Sequence, residues 1–211
     1  MTLTPLRQRT RSLVLVLLSM IFVGMPIAAM QPGSPEAYIQ AASPADQSII
    51  TRITGARFGD AVAISDDVFA ASSIYAPVEN VAAGQVYLYE RDPQAANGWK
   101  EIRTLQREVP HNLGAFGEAL ALQNGTLIIG VPRDPRDDGL FWQGAVYVYE
   151  RNHGGSNVWG LLTQLHDEVG GRFRQFGSAV ALDGDLVAVG VQGADNNQGK
   201  VFLYSLSLIH I

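Results

Sequence analysis

From residue 51 onward the apolar positions fall in short runs broken by Gly, Asp and Asn. Leu127-Ile128-Ile129, Val146-Tyr147-Val148-Tyr149 and Leu186-Val187-Ala188-Val189 are apolar at consecutive positions. A half-exposed strand would alternate apolar with polar, so these runs predict strands covered on both faces. First strands are predicted over 61–65, 119–123 and 179–183. Each is followed by a pair, Asp66-Asp67, Asn124-Gly125 or Gly184-Asp185, of types that tolerate the positive φ a two-residue hairpin turn requires. Second strands follow over 68–72, 126–130 and 186–190. Third strands start at Gly84, Gly144 and Gly199, and fourth strands at Trp99 and Trp159.

These blocks repeat in a fixed order. Phe58-Gly59, Phe116-Gly117 and Phe176-Gly177 each open a first strand, at spacings of 58 and 60. Gly84-Gln-Val-Tyr-Leu-Tyr-Glu-Arg returns as Gly144-Ala-Val-Tyr-Val-Tyr-Glu-Arg and again as Gly199-Lys-Val-Phe-Leu-Tyr. The Trp99 block returns at Trp159. Three units of four short strands, covered on both faces, imply small antiparallel sheets stacked face to face: the blades of a β-propeller. Each Phe is expected to wedge between neighbouring sheets, a burial worth roughly 1.5–3 kcal/mol. The glycine after it is expected to admit a close backbone or a left-handed conformation.

The Phe-Gly … Gly … Gly-x-Val-Tyr order resembles FG-GAP repeats, the blades of the integrin α-subunit propeller. Gly130-Val131-Pro132 stands where that family has Gly-Ala-Pro; Gly190-Val191-Gln192 and Ser72-Ser73-Ile74 depart from it. The resemblance implies an all-β fold of four-stranded antiparallel blades, a partial or open propeller of about three blades over residues 51–211. Units are expected over 51–105, 106–165 and 166–204, with 205–211 a tail outside the repeat. Three blades do not close a ring. A partial reading frame, an open arc completed by copies of itself and a compact three-unit variant all fit, and an open arc leaves blade edges free for self-association.

Residues 1–29 change the expected address. Arg7, Arg9 and Arg11 precede an apolar run over 13–23, and Ala28-Ala29 follows. This is the pattern of a secretory signal helix, with a retained anchor as its rival. Residues 30–50, rich in Pro, Ser and Ala, read as a linker or disordered arm. Losing three arginines from 15 Lys+Arg leaves 12 against 20 Asp+Glu, a net of −8. That charge argues against nucleic acid as a partner. The expected location is secreted or extracytoplasmic, with no membrane span once the signal is cleaved. The absence of cysteine excludes disulfides, Cys-ligated zinc and a thiol nucleophile.

Candidate chemistry is sparse. A Ca²⁺ cage needs six to eight oxygens. The hairpin tips offer only Asp66-Asp67 and the pair Asp183 and Asp185, on turns too short to wrap an ion. Asp134, Asp137 and Asp138 share the charged loop 132–139. These are the carboxylates a metal would have to use, but solvated tips and a self-neutralising loop are the preferred reading, with no cofactor. Leu140-Phe141-Trp142, in the same loop, is either a lid folded on the blade or a contact patch, with Phe141 and Trp142 as its partner-binding residues. The four histidines make no metal-spaced pair, and no nucleophile or phosphate-binding motif is present. The expectation is a non-catalytic extracytoplasmic recognition or adhesion module whose inter-blade loops meet a protein or glycan. The alternatives are an accessory propeller of a secreted hydrolase or lyase, and a self-associating structural component of the cell envelope.

Overall fold

The computed structural model describes residues 55–95, 97–135 and 142–208. The signal, the arm, and the candidates Asp137, Asp138 and Phe141 lie outside the described residues.

Thirteen strands are formed among the described residues: β1 (Phe58–Ser65), β2 (Val68–Ser73), β3 (Pro77–Val78), β4 (Val81–Ala82), β5 (Gln85–Arg91), β6 (Trp99–Leu105), β7 (Ala119–Gln123), β8 (Thr126–Val131), β9 (Ala145–Arg151), β10 (Trp159–Leu165), β11 (Phe176–Asp183), β12 (Leu186–Val191) and β13 (Lys200–Ser205). Each main sheet is an antiparallel meander. The first is β1-β2-β5-β6, the second β7-β8-β9-β10 and the third β11-β12-β13. The fold is thus nearly all β and has the form of stacked, partial propeller blades. The small β3-β4 hairpin decorates the first sheet's loop between its second and third long strands.

The turns form for the reason the sequence offers. Asp66 (φ 52), Asn124 (φ 50), Gly125 (φ 78) and Gly184 (φ 56) adopt left-handed conformations, which Asn, Asp and Gly tolerate best. The first strands of the first and third sheets begin earlier than the apolar pattern predicts, at Phe58 and Phe176. A bulge separates each Phe-Gly from the rest of its strand. Fourth strands start at Trp99 and Trp159, as expected.

The second sheet lies between the other two, and β8 shows why its sequence is apolar throughout. Leu127, Ile129 and Val131 join Val68, Ala70, Val86 and Leu88 of the first sheet in one core cluster. Ile128, Val146 and Val148 point the other way, into Val187, Val189 and Val191 of the third. Phe116 is buried in the first junction and Phe176 in the second. The glycines of the motif do both things expected of them. Gly117 has φ +94, and a Cβ there would stand 2.6 Å from Val86 Cγ2. Among the described residues no helix is long and apolar enough to cross a membrane.

Candidate functional site

The meander puts two kinds of connection at opposite ends of each sheet. At one end lie the hairpin tips Asp66-Asp67, Asn124-Gly125 and Gly184-Asp185, together with the turns leading into Trp99 and Trp159. At the other lie the loops between second and third strands and the crossings from one sheet to the next.

The hairpin end is held by its own charges. Arg151, at the end of β9, reaches back to Asp67 (3.3 Å) and to Glu90 of the first sheet. The repeated Glu-Arg pair therefore ties one sheet to its neighbour. Gly184 N–H donates to Gln123 Oε1 (2.6 Å), a second tie between tips. A polar groove of about 220 Å³ opens here beside Asp66, Asn124 and Glu150. Asp183 and Asp185 are exposed on the third tip. The Asp185 carboxylate accepts from the Ser207 amide (2.6 Å), the Ser207 hydroxyl (3.0 Å) and the Ser205 hydroxyl, so it caps the end of β13. Among the described residues no group of three or more His, Asp or Glu side chains is placed to share a metal ion.

At the loop end, Asp134 is fully buried. Tyr147 donates its hydroxyl to Asp134 Oδ2 (2.9 Å), Arg107 Nη2 lies 3.2 Å from Oδ1, and Arg107 Nε donates to the Tyr147 oxygen (3.0 Å). Burial pushes the Tyr147 pKa well above its usual value, and the Asp134 charge adds to the rise. Gly144 N–H donates to the Asp134 carbonyl (3.0 Å), which fixes the start of β9. Among the candidate carboxylates, Asp134 is thus a structural anchor with both carboxylate oxygens engaged. Breaking such a buried pair from one side is costly. Asp167 and Arg174 form a second buried pair in the next crossing.

At the same end a set of large apolar side chains, the ledge, is exposed. Trp142 is partly exposed and packs edge-on against Phe173, centroids 5.7 Å apart. The Arg133 guanidinium lies over the Trp142 ring at 5.6 Å and also reaches Glu118 (3.3 Å) and the Tyr75 hydroxyl (3.4 Å). That hydrogen bond from Arg133 holds the Tyr75 pKa below its ordinary value. Val109, Leu113, Val169 and Phe173 are exposed on the two crossings. Leu113 (φ 59) and Phe173 (φ 60) occupy the left-handed region, unusual for bulky side chains and a kind of strain concentrated at functional sites. Backbone bonds hold them there: Leu113 N–H donates to Ala82 O (2.8 Å), and Gln175 N–H to Trp142 O (3.0 Å).

The sequence reading singled out Trp142 and missed Leu113 and Phe173. The signal was present as Glu108-Val109 and Glu168-Val169, a pair recurring at a spacing of 60 in connections otherwise unlike each other.

Blade-like sheets joined through Phe-Gly strands, with a ledge at one end, define the class. Residues 159–204 match the family model of the FG-GAP repeat, and the chain carries an FG-GAP repeat there. That stretch runs from β10 through β13, so the repeat unit takes the last strand of one sheet and the first three of the next. No curated protein matches the chain.

Proposed function

We propose that the protein is a non-catalytic, extracytoplasmic recognition module that offers the loop-end ledge to a protein partner. The observation that carries this reading is the ledge itself. Large apolar side chains sit exposed at matching places on two successive crossings, in a strained backbone, beside a stacked Trp142–Arg133 pair. Aromatic and Arg residues around an apolar centre are the composition of binding hot spots. The buried pairs Arg107–Asp134 and Arg174–Asp167 anchor the connections that carry these side chains, and a pre-organised surface loses less entropy on binding. The aliphatic share, Val109, Leu113 and Val169, favours protein over glycan. The extracytoplasmic address draws on the basic, apolar, small-residue order of the first thirty residues and on the repeat family. The reading calls for no cofactor.

The test is selection of a random twelve-residue peptide display library on the purified chain, beside a glycan array. The expected result is an enriched peptide family whose affinity falls at least about tenfold in both Trp142→Ala and Phe173→Ala, with melting temperature unchanged. Enrichment that both variants retain, or none on either library, overturns the ledge. Binding confined to the glycan array, and lost in both variants, would overturn the choice of protein as partner.

A further inference from the structure

The two sheet junctions in this chain are built alike, and the third sheet repeats their receiving half with none of the described residues seated in it. In the first junction Phe116 N–H donates to the Ala83 carbonyl (3.1 Å), and the Phe116 backbone crosses directly over Gly84. A Cβ on Gly84 would stand 2.7 Å from Phe116 N. Gly117 then lies over Ser72 and Val86. In the second junction Phe176 N–H donates to the Gln143 carbonyl (2.9 Å), and Gly144 forms a parallel bridge with Phe176. Gly177 lies over Gly130 and Val146.

Strand register fixes the matching positions on the third sheet. Ser72 pairs with Val86, Gly130 with Val146, and Gly190 with Val201. Gln198, Gly199, Gly190 and Val201 therefore make a third receiver. Gly199 has φ +81, beside +92 at Gly84 and +86 at Gly144. Its nearest neighbours are carbonyls of its own sheet, Val191 and Gln192, at 3.8 Å. Val86 and Val146 are 0% exposed, whereas Val201 is 69% exposed; Leu88 and Val148 are 0% exposed, whereas Leu203 is 64% exposed.

The inserting half stands equally free on the first sheet. Gly59 has φ +84, beside +94 at Gly117 and +87 at Gly177, and among the described residues nothing lies within 4 Å of a Cβ placed there. Asp60 N–H donates to Arg57 O (3.3 Å), the same turn that Glu118 makes with Ala115 (3.2 Å) and Ser178 with Gln175 (3.2 Å). Val62 and Ile64 take the places of Leu120 and Leu122, which pack into the first junction, and of Val180 and Leu182, which pack into the second. They are 68% and 58% exposed.

We propose that the Gln198–Gly199–Val201 face of the third sheet receives the Phe58-Gly59 strand of a second copy of this chain, so that copies associate head to tail. Both halves are preformed, one at each end of the stack, and the chain's own two junctions show how they fit. Because the two surfaces differ, the contact is heterologous: it adds copies until a ring closes or continues as a filament. It is independent of the loop-end ledge.

Sedimentation velocity on the full chain, across a wide concentration range, tests this. Val201→Glu disables the receiver and Val62→Glu the inserting strand; both side chains are exposed, so both variants are expected to melt like the parent. The parent is expected to associate with rising concentration, and each variant alone to associate roughly 30-fold more weakly. Mixing the two variants restores one intact pairing, so a dimer that grows no further is expected. A parent that stays monomeric overturns the proposal. So do variants that associate like the parent, which would place the contact elsewhere, or a mixture that remains monomeric.

Discussion

Gly177 and Gly59 share a backbone conformation but not a neighbourhood. Gly177 (φ +87) has the Ala145 carbonyl 2.6 Å and Val146 Cγ2 2.9 Å from where a Cβ would sit; Gly59 (φ +84) has open space. An alanine at Gly59 meets only the left-handed strain, about 1–2 kcal/mol. An alanine at Gly177 adds overpacking against a buried backbone, for a total of about 2–5 kcal/mol. Urea denaturation of Gly59→Ala and Gly177→Ala is expected to show that order. Equal losses would mean that the conformation matters and the close approach does not. The motif is one pair of letters, but at the junction its glycine is a spacer between sheets, while at the outer edge of a single copy it is only a bend.

At the scale of the strand, β9 shows what double-sided burial does to a titrating group. Tyr149 lies in the cluster between the first and second sheets, and burial pushes its pKa up to about 12, against a small opposing pull from Arg103. Below pH 10 the ring is neutral in both folded and unfolded chains, and the full stability is present. Between pH 10 and about 12 the unfolded chain gives up its proton while the folded one holds it. Stability therefore falls as pH rises through that window, by about 2 kcal/mol from this residue. Tyr149→Phe is expected to lose that much less than the parent between pH 9.5 and 12, read as denaturation midpoints. Identical pH profiles would place the titration elsewhere.

Strands such as β9 were legible in the sequence because uniform apolarity has one meaning in short segments bounded by Gly and Asn. Their starts were legible where a residue type forces them, as at Trp99 and Trp159. The early starts at Phe58 and Phe176 were not, because a bulge hides the strand's continuity from a period-two reading. The ledge was half legible. Trp142 stands out by composition, whereas Leu113 and Phe173 differ in identity and match only in backbone conformation, which residue type does not disclose. Asp134 looked like a surface charge because its partners, Arg107 and Tyr147, lie 27 positions before it and 13 after it, and the pairing is made only by the fold.

Across the whole stack, stability is set by nearest neighbours. Each sheet contacts only the next, so protection is the sum of a sheet's own bonds and the junctions on either side. Among the described residues the second sheet has two junctions, and the first and third have one each. Native-state hydrogen exchange is therefore expected to be slowest at the amides of β8 and β9. It should be faster in β1, whose Val62 and Ile64 are exposed, and in β13, whose Val201 and Leu203 are exposed. The difference carries a signature of its own. If copies join through the Phe58-Gly59 strand and the Gly199 receiver, β1 and β13 gain the junction they lack, and their exchange should slow as concentration rises while that of β8 hardly changes. In Val201→Glu the concentration dependence should vanish and the gradient remain. Protection in β13 equal to that in β8, in dilute protein, would contradict the stacking account, since no second junction is then present to supply it.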